Sequence, residues 1–269
     1  MSSLDELLFL LWNDYSSMNK QAYAIHKALE GRGEKVINDH IAFRTFNLPK
    51  VGIDVLARPF INLGYQTKGE GYHFPDKKLF ARHYEHSDFH QPKVFISELE
   101  VEKFSPTLQQ TIRQLMDQVP TTLMNGDHFL ISGVPWEPVS WKIYQELLKE
   151  SEYAAWMAAF GFRVNHFTVF FNALKTFKEL RELNDFIKSL DFKLNDSGGE
   201  IKGSKEVYLE QSSTLAHPVK VEFADRKETI PACYYEFARR YPLPDGKLFQ
   251  GFLPDSADKI FESTNYRKK

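Results

Sequence analysis

A histidine stands second in two similar segments of this chain: D-H-I-A-F-R-T-F-N carries His40, and N-H-F-T-V-F-F-N carries His166. The imidazoles are 126 positions apart (166 − 40), and a second pair of matching runs, starting at Phe60 and Phe186, keeps that offset. Two separate matches at one offset mark a duplicated unit. A histidine on the first strand of each copy predicts one metal site shared between the copies. The third donor in this reading is Glu222, from the run Lys220-Val221-Glu222-Phe223-Ala224, where Val219, Val221 and Phe223 form an apolar face and Glu222 takes the other. Two histidines and one carboxylate on separate strands leave positions open on an octahedral metal, the donor set of non-haem Fe(II) oxygen chemistry. Arg44 lies four residues beyond His40 on the same strand face, about 13 Å away along the strand. A guanidinium there suits a carboxylate held bidentately, so a short dicarboxylate can reach from metal to Arg44. Phe170 stands at the matching place in the second copy.

The elements that position these residues follow from hydrophobic period. Residues 3–31 read as helical, with Leu7, Leu8, Leu11, Trp12 and Tyr15, then Ala22, Ile25, Ala28 and Leu29, recurring at helical spacing. Residues 38–47 read as a strand and 50–64 as a helix; Lys78–Tyr84 and Lys93–Val101 read as further strands. Between 102 and 160 the pattern breaks into two helices, about 105–118 and 139–158, around a short apolar strand at His128–Ser132. The first order then returns: strand Val164–Asn172, helix Thr176–Leu190, and strands Glu206–Gln211 and Pro218–Ala224. From 234 onward the chain reads as short elements. The expected fold is α+β: one domain over 1–269, with a first module at 35–101, a helical insertion at 102–160, a second module at 161–226 and an extension at 227–269. Each module reads βαβββ, and two side by side make a cupped mixed sheet with the histidine faces turned inward.

The first copy tests the carboxylate. Position 222 − 126 = 96 is Ile96, which cannot ligate; Glu98 lies two residues on, facing the same side. With Glu98 at the metal, a four-ligand site of isomerase type results; without it, three ligands leave room for substrate and oxygen. Blander readings stand beside this one. A strand histidine is commonly a hydrogen-bonded structural residue, a strand carboxylate is commonly solvated, and Arg44 suits a surface ion pair. His73, His83, His86 and His90 read as loop and strand-edge residues, and Tyr234, Tyr235 and Glu236 as equally core, rim or cup lining. Net charge −2 gives no sign of a nucleic-acid or anionic-membrane partner. No run reaches the length of a membrane-spanning helix. Cys233 is the one cysteine, which excludes an internal disulfide and a cysteine-based zinc cluster and fits the cytoplasm. A glyoxalase-like metal isomerase or metallohydrolase, or a metal-free small-molecule binding protein, remain alternatives on the same scaffold.

D-H-I-A-F-R around His40, V-F-I-S-E-L at 94–99, V-N-H-F-T at 164–168 and V-E-F at 221–223 resemble the DUF1338 family, linked to 2-oxoadipate dioxygenase/decarboxylase, also called 2-hydroxyglutarate synthase. The resemblance covers about 35 to 255 and implies a fold similar to the vicinal oxygen chelate superfamily. It implies Fe(II) held by His40, His166 and Glu222, and a substrate carboxylate held by Arg44. It further implies that O2 and 2-oxoadipate, or a related 2-oxo acid, give (R)-2-hydroxyglutarate and CO2 in a route of lysine breakdown. The chain is short beside the long members of that family, so the metal chemistry carries over better than the substrate's identity.

Overall fold

The computed structural model describes residues 3–124 and 126–264. Two helices open the chain, α1 (Leu4–Met18) and α2 (Lys20–Gly31), where the hydrophobic period alone predicts one. Asn19 divides them: its backbone N–H closes α1 on the Tyr15 carbonyl, while its side chain accepts from the Ala22 N–H and caps α2. The first copy follows as β1 (Asn38–Phe46), α3 (Ile53–Asn62), β2 (Tyr65–Phe74), β3 (Leu79–His86) and β4 (Lys93–Leu99).

The stretch between the copies holds α4 (Pro106–Asp117), α5 (Thr121–Met124), α6 (Trp141–Glu150) and α7 (Glu152–Phe160). Ser151 caps α7 through its hydroxyl and so separates two helices that the sequence pattern joins. The strand expected at His128–Ser132 is a 3₁₀ turn, Asp127–Ile131. Gly161, at φ 68°, leads out of α7, and a Cβ there would meet the Gly133 carbonyl oxygen at 1.8 Å; only glycine allows this approach.

The second copy is β5 (Val164–Phe170), α8 (Leu180–Ser189), β6 (Lys202–Ser204), β7 (Leu209–Ser213) and, after an inserted hairpin of β8 (Pro218–Glu222) and β9 (Lys227–Pro231), β10 (Tyr234–Arg240). Helix α9 (Pro254–Phe261) closes the described chain. The main sheet runs β2-β3-β4-β1-β5-β10-β7-β6. Its halves mirror each other: β1 is parallel to β4, which pairs antiparallel with β3, and β5 is likewise parallel to β10, which pairs antiparallel with β7. The copies meet where β1 and β5 pair antiparallel. The expected α+β class and curled mixed sheet are what the chain adopts. The second half, however, runs past the expected limit of 226, because β10 and not β8 completes it.

One face of the sheet carries Ile41, Phe43, Val94, Ile96, Phe167, Val169, Tyr235 and Phe237, all buried. Trp12 and Tyr15 of α1 meet the Phe167 ring at centroid distances of 5.1 and 5.0 Å, and Phe60 of α3 meets Phe43 at 5.6 Å. Each such buried ring contributes about 1.5–3 kcal/mol from burial alone, so this helix-covered face fixes the sheet and leaves the other free to carry polar groups. Helix α9 packs against β2 at one edge of the sheet and against β6 and β7 at the other, and so roofs that second face.

Candidate metal centre

The register of the central strands converts sequence spacing into a site. In the β1–β5 pair His40 stands opposite Thr168 and Ala42 opposite His166; in the β5–β10 pair Thr168 stands opposite Glu236 and His166 opposite Tyr234. His40, Thr168 and Glu236 therefore form one row across three strands, with His166 in the next. The ligating atoms of His40, His166 and Glu236 all lie within 4.8 Å of one another, and all three residues are buried. His166 Nε2 is 3.2 Å from Glu236 Oε2, and His40 Nε2 is 3.7 Å from Glu236 Oε1. Among the described residues this is the group of histidine, cysteine and carboxylate side chains arranged to hold a metal ion.

Each of the three is held from behind. His40 Nδ1 pairs with Asp39 Oδ1 at 2.7 Å, which turns Nε2 inward. Asp39 reaches this position because the β1–β5 register shifts between Asn38 and His40, a bulge that breaks strict alternation. His166 Nδ1 pairs with Asn165 Oδ1 at 3.1 Å, and Gln211 Nε2 donates to Glu236 Oε1 at 2.6 Å.

Burial lowers the pKa of His40 against the opposing pull of Asp39, and burial with His40 and Arg44 nearby holds His166 well below the usual range. Both imidazoles are thus neutral, the form that ligates. Burial pushes Glu236 up to about 8, with the Gln211 hydrogen bond opposing. A buried carboxylate facing two neutral imidazoles lacks a positive charge, and a divalent cation among the three fits that need.

Glu222 does not join this group. It ends β8, outside the main sheet, with a side chain 72% exposed and 3.4 Å from Lys227 Nζ. The physical reason is the β8–β9 hairpin. His40 pairs with Lys93 and His166 with Tyr234, so the last strands are offset by 234 − 93 = 141 and not 126. Glu236 accordingly matches Phe95 of the first copy. Glu98 does not reach the metal group either: its Oε2 accepts from the Ile53 N–H at 3.0 Å and caps α3 on the opposite face. Three protein donors remain. His83 pairs with Tyr72 and Glu85 and takes no part.

Arg44 is buried at one end of the cup. Nη1 contacts Glu152 at 3.1 Å, Nη2 donates to Thr264 Oγ1 at 3.0 Å, and the guanidinium lies over the Tyr153 and Trp156 rings. Nε has no partner among the described residues. Arg44 lines a cavity of about 310 Å³ with Lys77, Glu152 and Phe261. His40, His166, Glu236 and Tyr234 line a separate space of about 20 Å³, closed by Phe252, Ile260 and Phe261. Phe261 borders both.

A curled, duplicated mixed sheet of vicinal-oxygen-chelate-like fold carries on its inner face a buried His–His–Glu set that could hold a metal ion. The HGLS family model, 2-oxoadipate dioxygenase/decarboxylase, matches residues 6–126 and 128–249, and the chain belongs to that family. The chain is 35% identical over 260 residues to the chloroplastic 2-oxoadipate dioxygenase/decarboxylase of Arabidopsis thaliana, covering 86% of this chain and 69% of that one. It is similar in structure to hydroxyglutarate synthase from Oryza sativa, solved in complex with 2-oxoadipate, with 34% identity, a TM-score of 0.88, and coverage of 96% and 91%. A Shewanella frigidimarina protein named provisionally as a hydrolase is 51% identical, with a TM-score of 0.90 and coverage of 94% and 99%.

Proposed function

We propose that this protein is an Fe(II)-dependent dioxygenase/decarboxylase that takes 2-oxoadipate, or a related 2-oxo acid, and O2 to (R)-2-hydroxyglutarate and CO2, in lysine breakdown in the cytoplasm. The observation that carries the reading is the buried three-donor set of His40, His166 and Glu236 with Arg44 farther along β1. The rice relative solved with 2-oxoadipate supports the substrate class. Fe(II) bound by these three residues supplies a docking point for the 2-oxo acid and redox chemistry toward O2.

The chain's own residues do the rest. Asp39 keeps His40 in the tautomer that offers Nε2. Arg44 exchanges its bond to Thr264 for the substrate's far carboxylate, while Glu152 and the two flanking rings hold the guanidinium flat. Phe95, Phe252, Ile260 and Phe261 keep water from the reacting end. A space of about 20 Å³ holds little more than one water, so substrate entry displaces part of the roof formed by Phe252 and α9. A four-ligand isomerase site loses support because Glu98 caps α3.

The test is anaerobic preparation, metal analysis, iron loading, and measurement of O2 uptake and CO2 release with 2-oxoadipate. One CO2 per O2 is expected. No turnover across a panel of 2-oxo acids with iron bound would overturn the proposal.

A further inference from the structure

Tyr234 is fully buried on β10, directly opposite His166, and its ring stacks on the His166 imidazole at a centroid distance of 4.5 Å and an interplanar angle of 23°. Its hydroxyl has no hydrogen-bond partner among the described residues. Buried hydroxyls normally find one, because leaving a donor unmade inside a protein is costly. Tyr84, outside this site, shares that lack, whereas three other buried tyrosines obey the rule. Tyr15 donates to the Tyr234 carbonyl, Tyr65 to the Pro92 carbonyl and Tyr153 to the Ser97 carbonyl.

Place distinguishes Tyr234. It lines the small space walled by His40, His166 and Glu236, and does not line the larger cavity beside Arg44 on the far side of Phe261. It is also a product of divergence between the copies: Lys93 holds the matching position against His40. A phenol is protonated at neutral pH and donates one hydrogen bond. Within this space the groups in need of a donor are the oxygens of a bound 2-oxo acid.

We infer that Tyr234 is a substrate-binding residue, whose hydroxyl donates to the 2-oxo-carboxylate end of the substrate beside the metal ligands. This rests on the 2-oxo acid reading above. It gives the site two anion contacts with separate tasks: Tyr234 recognises what all 2-oxo acids share, and Arg44 selects those with a second carboxylate.

The experiment is calorimetric binding of 2-oxoadipate and of 2-oxohexanoate, which lacks the far carboxylate, to wild-type and Tyr234→Phe protein loaded with Mn(II) under argon. Metal content and melting temperature are measured alongside. Tyr234→Phe is expected to bind both acids about tenfold or more weakly. Its metal content should be unchanged, and its melting temperature equal or higher, since an unpartnered buried hydroxyl is removed. Unchanged affinity in a folded, metal-loaded variant would overturn the inference, and so would a loss confined to 2-oxoadipate, which would move the hydroxyl to the Arg44 end. Wild-type protein that binds Mn(II) but neither acid would instead sink the 2-oxo acid reading itself.

Discussion

Arg240 grips Asp39 with two donors, Nε to Oδ2 at 2.6 Å and Nη2 to Oδ1 at 2.8 Å, across 201 positions of chain. The same Oδ1 meets His40 Nδ1, and Arg240 Nη1 donates to the carbonyls of Phe249 and Gly251, just before Phe252 in the roof. Burial alone would raise the Asp39 pKa, but the charge and hydrogen bonds of Arg240 hold it well below the usual carboxylate range. One ion pair thus orients a metal-site imidazole and anchors the loop above it. Asp39→Asn leaves Arg240 buried without its counter-charge and leaves the His40 tautomer unset. The expected cost is about 3–5 kcal/mol of stability, read by denaturant unfolding. Mn(II) affinity, measured by equilibrium dialysis on folded protein, should fall about 10–100-fold. Undiminished affinity would show that Asp39 does not orient the ligand.

Glu236 and Glu222 give opposite expectations for the same chemical change. Glu236→Gln removes the one anionic donor of the buried set, so Mn(II) retention after dialysis should drop by about 100-fold or more, and turnover with it. Glu222→Gln alters an exposed hairpin residue facing Lys227, so metal content should be unchanged and stability should stay within about 0.5 kcal/mol. The reverse result would restore Glu222, the carboxylate that the alternation of Lys220–Ala224 selects.

The histidines were legible because the repeat holds wherever the two copies are collinear, across β1 and β5 and on through α3 and α8. The carboxylate was not, because the β8–β9 hairpin adds 15 positions (141 − 126) after β7 in the second copy. β8 also alternates as a half-exposed strand should, whereas β10 is buried almost throughout and shows no alternation to read. Asp39 was hidden for a different reason: strict alternation points it away from His40, and only the bulge turns it back. Arg44 was legible in position, but its contacts with Glu152 and Thr264 join elements more than 100 residues apart, which no local pattern encodes.

Glu34 fastens the loop before β1 to the segment leading into α8. Its carboxylate accepts from the backbone N–H groups of Lys175 and Thr176 at 2.8 and 2.7 Å and from the Thr176 hydroxyl at 2.6 Å. Burial pushes its pKa up, but the Thr176 and Lys175 hydrogen bonds outweigh it and leave it below the ordinary value. A folded pKa below the unfolded one means stability that is present above the unfolded value, about 4.3, and lost as pH falls through the folded value. Glu34→Ala is therefore expected to cost about 3 kcal/mol at pH 7. The gap in melting temperature between variant and wild type should shrink as pH falls below about 4. A gap that stays constant with pH would mean that the charge of Glu34 contributes nothing.

Phe261 stands between the space at the metal ligands and the cavity beside Arg44, lining both while 7% exposed. Its ring therefore limits what can extend from one end of the site to the other. Phe261→Leu keeps an apolar side chain of similar reach and should cost less than about 1.5 kcal/mol. It should also raise kcat/KM for 2-oxo acids with bulkier chains relative to 2-oxoadipate by about tenfold, the scale set by one or two methylene groups in an apolar pocket. Arg44→Met tests the other end of the same passage: removing the guanidinium should lower kcat/KM for 2-oxoadipate by at least about 100-fold while sparing 2-oxohexanoate. If both variants shift the two acids in parallel, neither Phe261 nor Arg44 selects by length and charge, and the passage between the cavities is not the substrate's path.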